Sequence, residues 1–297
     1  MELADLVTEQ RRSDLADLDL RGTLELVELM AADQARVVEA VSAAAPAIAA
    51  AVDAIVAQLR RGGRLVYIGA GTAGRLGLLD AAECPPTFNT DRVVGVLAGG
   101  GEAFLASREM VEDDASAGAA DLTRLAVGER DAVVGVAASG RTPYTIGAVD
   151  FARERGAVTV GVACNPGAKL SRHVDHPVEV VVGSEVIAGS TRLKAGTAQK
   201  IVLNTLSTLA MVRIGKTFGD LMVDVRATNA KLRDRARRIV GEATGAGDEA
   251  VDEALAAADG EVKVAIVMLL AEVGADAARR RLAARDGVVR AALAAES

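Results

Sequence analysis

The sequence predicts an α/β fold, a doubly wound parallel sheet, and three observations carry that prediction. Short Val-rich runs alternate with helical patterns between residues 64 and 214, and stretches rich in Gly, Ser and Thr follow three of those runs. Helical periodicity flanks the alternation on both sides. Continuous apolar runs of about five residues suit strands covered by helices on both faces. Ligands of such sheets bind at the carboxyl ends of the strands, where the Gly-rich stretches fall.

Residues 1–22 are polar and acidic and read as an irregular arm. From Thr23 to Leu59 apolar residues recur at helical spacing, and Pro46 divides this segment into two helices because it lacks an amide donor and crowds the preceding turn. Gly62-Gly63 ends the second. Strands are predicted over 64–68, 92–97, 132–137, 158–163 and 178–182, with helices over 73–82, 102–115, 143–155 and about 197–214. After Gly219 the pattern becomes an Arg-rich amphipathic helix over 223–240 and short helices near 248–258, 262–272 and 275–284. The expected organisation is N-terminal arm and helices over 1–60, a ligand-binding α/β domain over 61–222, and a helical C-terminal region over 223–297.

Apolar residues make up 51% of the 297, enough for a sizeable core, but aromatics are 2% and Trp is absent. The core is therefore aliphatic, and a base-stacking platform is not expected. A net charge of −7 argues against nucleic acid as a partner, and Arg233, Arg235, Arg237 and Arg238 read as a solvated helix face. Cys84 and Cys164 form no CxxC pattern, which suits a reducing cytoplasm. The acidic N-terminus lacks the layout of a signal peptide, and no uninterrupted apolar run reaches membrane-spanning length.

The first loop, Gly69-Ala70-Gly71-Thr72-Ala73-Gly74-Arg75, satisfies the dinucleotide spacing, but the second strand ends Val96-Leu97-Ala98-Gly99 without the carboxylate that would hold a ribose. The second loop, Ser139-Gly140-Arg141-Thr142, brings two hydroxyls to a helix that opens at Pro143 and makes the better phosphate cradle; a capped helix without ligand is the plain alternative. The third runs from Glu185 to Lys194. Several such loops in one domain point to a phosphorylated ligand.

Glu83 precedes Pro85-Pro86, which are expected to force the chain out of its helix and fix the glutamate's direction. Glu109, Glu112, Asp113 and Asp114 are expected on the next helix. One carboxylate from each segment would form an acid/base pair if burial separated their pKa values; solvated helix-end glutamates are the bland alternative. His173 and His176 read as a surface loop without further metal ligands nearby, and Cys84 as a buried small hydrophobe.

Taken together, these segments resemble the N-acetylmuramic acid 6-phosphate etherase family. The resemblance rests on the first loop, on Asp80-Ala81-x-Glu83-Cys84-Pro85-Pro86-Thr87, on Ala137–Tyr144, on Cys164-Asn165-Pro166-Gly167, on Glu185–Lys200 as the most specific block, and on Gly219–Val225 with Ala227-Thr228-Asn229. It extends from Leu6-Val7-Thr8-Glu9 to the C-terminal helices. It implies a sugar isomerase (SIS) type fold, a homodimer with the site near the subunit interface, and cleavage of the lactyl ether of N-acetylmuramic acid 6-phosphate without metal or organic cofactor. It further implies Glu83 and Glu112 as the catalytic carboxylates, and Gly71, Thr72, Ser139, Gly140, Arg141, Thr142, Ser190, Thr191 and Lys194 as the phosphosugar-binding set. One departure is Ala73, where the family carries serine; the missing hydroxyl corresponds to about 1 kcal/mol if it meets ligand. Two other functions share these loops. A non-catalytic regulator of the glucokinase regulatory protein type has a duplicated sugar-binding domain, for which this chain is too short. An aldose–ketose isomerase commonly uses a histidine, and neither His173 nor His176 lies in a motif.

Overall fold

The computed structural model describes residues 5–105, 110–224 and 230–294. They form two compact units: Met1–Ala82 with Arg92–Ser207, and Glu83–Asp91 with Thr208–Ser297. The division thus runs inside two helices.

In the first unit the N-terminal arm is not irregular. It folds as 3-10 turns at Val7–Glu9, Ser13–Leu15 and Leu18–Leu20, and Leu6 and Thr8 are fully buried. The helical segment that follows breaks twice, giving α1 (Thr23–Asp33), α2 (Ala35–Ala43) and α3 (Ala45–Arg60). Pro46 sits in the first turn of α3, where its missing donor costs nothing, so it opens a helix as expected; the extra break at Gln34 has no sequence signature. α3 buries Ile48, Val52, Ile55, Val56 and Leu59. Among the described residues no single helix is long and apolar enough to cross a membrane.

The alternation then runs β1 (Leu65–Gly69), α4 (Gly71–Phe88), β2 (Val93–Leu97), α5 (Glu102–Leu105), α6 (Ala115–Arg124), β3 (Ala132–Val136), α7 (Pro143–Glu154), β4 (Val158–Ala163), β5 (His176–Glu179) and α8 (Lys194–Arg213). The five strands form one parallel sheet in the order β2-β1-β3-β4-β5. β1 and β3 are buried along their whole length, as strands covered on both faces should be. Asp131 pins their amino ends: its carboxylate accepts from the Arg64 amide at 3.0 Å and from the Arg64 guanidinium at 2.8 Å.

Four local expectations are corrected. α4 does not end at the prolines but runs through Pro85 and Pro86 to Phe88, because a proline pair in a last turn removes only the donors that the Ala81 and Ala82 carbonyls would have met. Glu83 therefore lies within the helix. The predicted helix over 102–115 is replaced by α5 and α6, since Asp114 caps α6, its Oδ1 accepting from the Ser116 and Ala117 amides at 2.9 and 3.0 Å. β5 lies two residues nearer the N-terminus than predicted, because β4 ends at Ala163 opposite Glu179. His176 consequently belongs to an edge strand rather than a loop, and His173 is paired with Asp150 at 2.8 Å.

The second unit holds the β6–β7 hairpin (Thr217–Phe218, Leu221–Met222) and the helices α9 (Ala230–Thr244), α10 (Asp248–Ala257), α11 (Val262–Ala271), α12 (Ala275–Ala283) and α13 (Val289–Leu293). Its core packs Val223, Ile239, Val240, Val251, Ile266 and Leu282. Asp224 accepts from Lys216 at 2.6 Å and from Lys263 at 2.9 Å. The motif residues Val225, Ala227, Thr228 and Asn229 lie outside the described residues.

Candidate active site

The strand order reverses direction between β1 and β3, and that switch point is where an open α/β sheet leaves a crevice at its carboxyl edge. The first two Gly-rich loops leave β1 and β3 there. In the first, a Cβ on Gly69 would stand 2.7 Å from the Val136 carbonyl, so the loop lies flush against the neighbouring strand end. Gly71 opens α4, Thr72 is half-buried, and Ala73 is buried. Thr72 Cγ2 lies 3.4 Å from where a Gly196 Cβ would be, which brings the first loop against the start of α8.

The second loop turns on Gly140, whose φ of +66° is a left-handed conformation that a side chain strains. Ser139 Oγ accepts from the Arg141 amide at 3.2 Å. Thr142 is the N-cap of α7, yet its hydroxyl makes no capping bond. Arg141 Nη1 is buried and has no hydrogen-bond partner among the described residues. A buried guanidinium nitrogen without a partner among the described residues, on a loop that carries two hydroxyls at a helix start, is a combination that an anion completes.

The third loop is built differently from the expectation. Glu185 is almost fully buried and occupies the amino end of α8, its carboxylate accepting from the Lys194 amide at 3.0 Å and the Ala195 amide at 2.9 Å. That helix N-terminus is already filled by the protein's own carboxylate. Lys194 is 1% exposed, and its Nζ donates to Asp33 and to the Ser184 carbonyl at 3.0 and 2.7 Å. Its charge is committed inside the protein in this structure. Arg12 also pairs with Asp33, at 2.8 Å, beside a cavity of about 460 Å³. Ser190 and Thr191 are half-buried.

Glu112 lies on an exposed turn just before α6, not on a helix. Its backbone carbonyl accepts from the Tyr144 amide at 3.0 Å, which docks the turn onto the first residues of α7 and beside the second loop. A cavity of about 610 Å³ adjoins it, lined by Gly100, Val111, Asp121 and Tyr144 among others. Tyr144 donates to Asp121 at 2.5 Å, and burial pushes its phenol up to about 12. The Ser116 hydroxyl and the α6 amides hold the Asp114 carboxyl below the usual range. Glu109 lies outside the described residues. Glu83 is exposed within α4, twelve residues beyond Gly71, or about 18 Å along the helix axis. Among the described residues no group of three His, Cys, Asp or Glu side chains converges as a metal site would require.

Two polar residues went unassigned in the sequence reading. Thr8 and Asn165 are both fully buried, with Asn165 Nδ2 donating to Thr8 Oγ1 at 3.0 Å and to the Ala138 carbonyl at 3.1 Å. Both stand in short motif blocks, which was the only available signal.

Known proteins resemble this chain in sequence and in fold. A family model described as the glucokinase regulatory protein N-terminal SIS domain matches residues 47–153, and one described as the SIS domain matches residues 109–209. The N-acetylmuramic acid 6-phosphate etherase of Rubrobacter xylanophilus is 67% identical over 98% of this chain and 97% of its own length. That of Mycolicibacterium smegmatis is 54% identical over 99% of this chain and 100% of its own. A crystal structure from Bacteroides fragilis, assigned to the phosphosugar isomerases of capsule formation, superimposes with a TM-score of 0.50 at 23% identity, covering 65% of this chain and 91% of that one. That likeness is one of fold.

Proposed function

The chain belongs to the N-acetylmuramic acid 6-phosphate etherase family, and from that premise we propose that it cleaves the D-lactyl ether of N-acetylmuramic acid 6-phosphate to N-acetylglucosamine 6-phosphate and D-lactate. The observation that carries the reading is identity of 67% sustained over nearly the whole of both chains.

An unactivated ether resists direct hydrolysis, so the reaction needs a route around it. In the open-chain sugar the C1 aldehyde acidifies the proton on C2. Glu112 takes that proton, the C2–C3 double bond forms, and the C3–O bond breaks. The electron pair leaves on the lactate oxygen, which takes a proton from Glu83. Water then adds to C3 of the unsaturated aldehyde and a proton returns to C2. The 6-phosphate is held by Ser139, Arg141 and Thr142, with Thr72, Ser190, Thr191 and the backbone at Gly71 and Gly140 around it. The unpaired Arg141 Nη1 supports this placement. Lys194 acts indirectly, by holding the third loop through Ser184.

We assign the working form as a homodimer with the site near the subunit interface. Exposed apolar side chains on the N-terminal arm and helices, Leu20 (83%), Leu24 (73%), Val27 (59%) and Val38 (64%), support an interface. The cytoplasm, where thiols stay reduced, suits Cys84 and Cys164, neither of which is in a disulfide.

The test is D-lactate release from N-acetylmuramic acid 6-phosphate in ¹⁸O-labelled water. Lactate together with heavy oxygen on C3 of the product is expected for elimination and addition. Glu83→Gln should abolish lactate release while leaving exchange of the product's C2 proton, and Glu112→Gln should abolish both. Tight binding of the phosphosugar with no lactate would place the protein among non-catalytic regulators instead.

A further inference from the structure

We propose that Thr8, in the N-terminal arm, is a positioning residue that sets the spacing between the second and third ligand loops. The inference rests on the reading that those loops hold the phosphosugar. Thr8 is fully buried, and its amide, carbonyl and hydroxyl are each engaged by a residue more than 150 positions away. The Thr8 amide donates to Asn165 Oδ1 at 3.3 Å, and Asn165 Nδ2 donates back to Thr8 Oγ1 at 3.0 Å. The same Nδ2 donates to the carbonyl of Ala138, the residue before Ser139, at 3.1 Å. The Thr8 carbonyl accepts from the amide of Gly189, the residue before Ser190, at 3.2 Å. One threonine and one asparagine thus join the two serines' loops by their backbones.

The clip is built for fixed geometry. Asn165 is itself fully buried, and the Cys164 amide donates to the same Ala138 carbonyl at 2.9 Å, so the start of the second loop is tied to the end of β4 by two bonds. On the other side, Glu9 closes over the third loop: its Oε2 lies 2.9 Å from the place a Cβ would take on Gly189, whose φ is +76°. Valine in place of Thr8 keeps the shape but removes the oxygen, leaving Asn165 Nδ2 with one acceptor fewer inside the protein. The loops then lose the shorter of the two bonds that join Thr8 to Asn165 and hold Ser139 and Ser190 at one separation.

Thr8→Val, Asn165→Ser and Thr8→Ser are assayed beside the wild type for D-lactate release, with inhibition by inorganic phosphate measured in parallel. Thr8→Val should raise KM and the phosphate inhibition constant together by about five- to tenfold, the loss of one hydrogen bond's worth of binding, and Asn165→Ser, which removes three side-chain bonds, by at least as much, with kcat within about twofold in each. Thr8→Ser keeps the hydroxyl and should restore both constants. The two disrupting variants break the same link from opposite ends, so either one that folds decides the matter. Unchanged KM and phosphate inhibition in a folded variant would overturn the clip, as would Thr8→Ser behaving like Thr8→Val. A wild type that releases no lactate and is indifferent to phosphate would instead overturn the underlying reading, and the clip with it.

Discussion

Gly140→Ala tests whether the second loop is held by its backbone conformation and its packing together. Gly140 has φ of +66°, and its carbonyl accepts from the Leu170 amide at 2.8 Å. A Cβ there would stand 2.5 Å from Ala168 Cβ and 3.2 Å from Ala163 Cβ, both on fully buried residues. The left-handed conformation costs an L-residue about 1–2 kcal/mol. Forcing a methyl into closed packing costs about 1–3 kcal/mol more. The expected loss is therefore about 2–5 kcal/mol in urea unfolding, with a raised KM because Ser139 and Arg141 flank the position. The cycle is completed by Ala168→Gly, which removes the methyl that Gly140→Ala would strike. In the double variant the steric part disappears and the conformational part stays, so a favourable coupling of about 1–3 kcal/mol is expected. A Gly140→Ala protein within about 0.5 kcal/mol of wild type, or a cycle with no coupling, would refute the argument.

Two further expectations concern buried ionisable groups. Burial works to raise the Asp131 carboxyl, but the Arg64 guanidinium and the Gly128 and Arg64 amides outweigh it and hold the group below its ordinary range. A folded pKa below the unfolded value, about 3.9, gives stability that is present above that pH and lost as the pH falls through the folded pKa. Asp131→Asn should be less stable than wild type at pH 7 and should converge on it in acid; a constant offset at every pH would contradict this. Burial, and after it the Glu185 charge, pushes the Cys164 thiol up to about 12. In a Cys84→Ser background, Cys164 should resist Ellman's reagent in the native protein at pH 8 and react once unfolded, and stoichiometric native labelling would count against it.

The legible parts of the site were those written in contiguous residues. Ser139-Gly140-Arg141-Thr142-Pro143 displays its turn and helix start in one stretch, and the structure places α7 from Pro143. Val158–Ala163 reads as a strand with both ends correct, because a run of apolar and β-branched residues needs no distant partner to be recognised. Errors arose where a local signal was outweighed by another. Pro85-Pro86 were given the strength of a helix stop, although in a last turn they cost only two bonds. The Asp114-x-Ser116 cap was passed over within an apparently continuous helix, and that displaced Glu112 from helix to turn. Lys194, expected in the phosphosugar-binding set, pairs with the buried Asp33, a contact 161 positions away that no local pattern displays.

The sequence by itself determined the α/β alternation, the loops that end β1 and β3, and the family to which the chain belongs, because these rest on short-range periodicity and contiguous motifs. Tertiary structure alone decided which polar groups are spent within the protein and which stay open to a ligand. The Lys194–Asp33 pair spans 161 positions and the Thr8–Asn165 pair spans 157. The Glu185 carboxylate fills the α8 amino end from nine residues upstream, while Arg141 Nη1 stays unpaired. A buried charge must find a partner wherever the fold brings one. Which partner that is depends on packing between elements remote in the chain, and no local pattern records it.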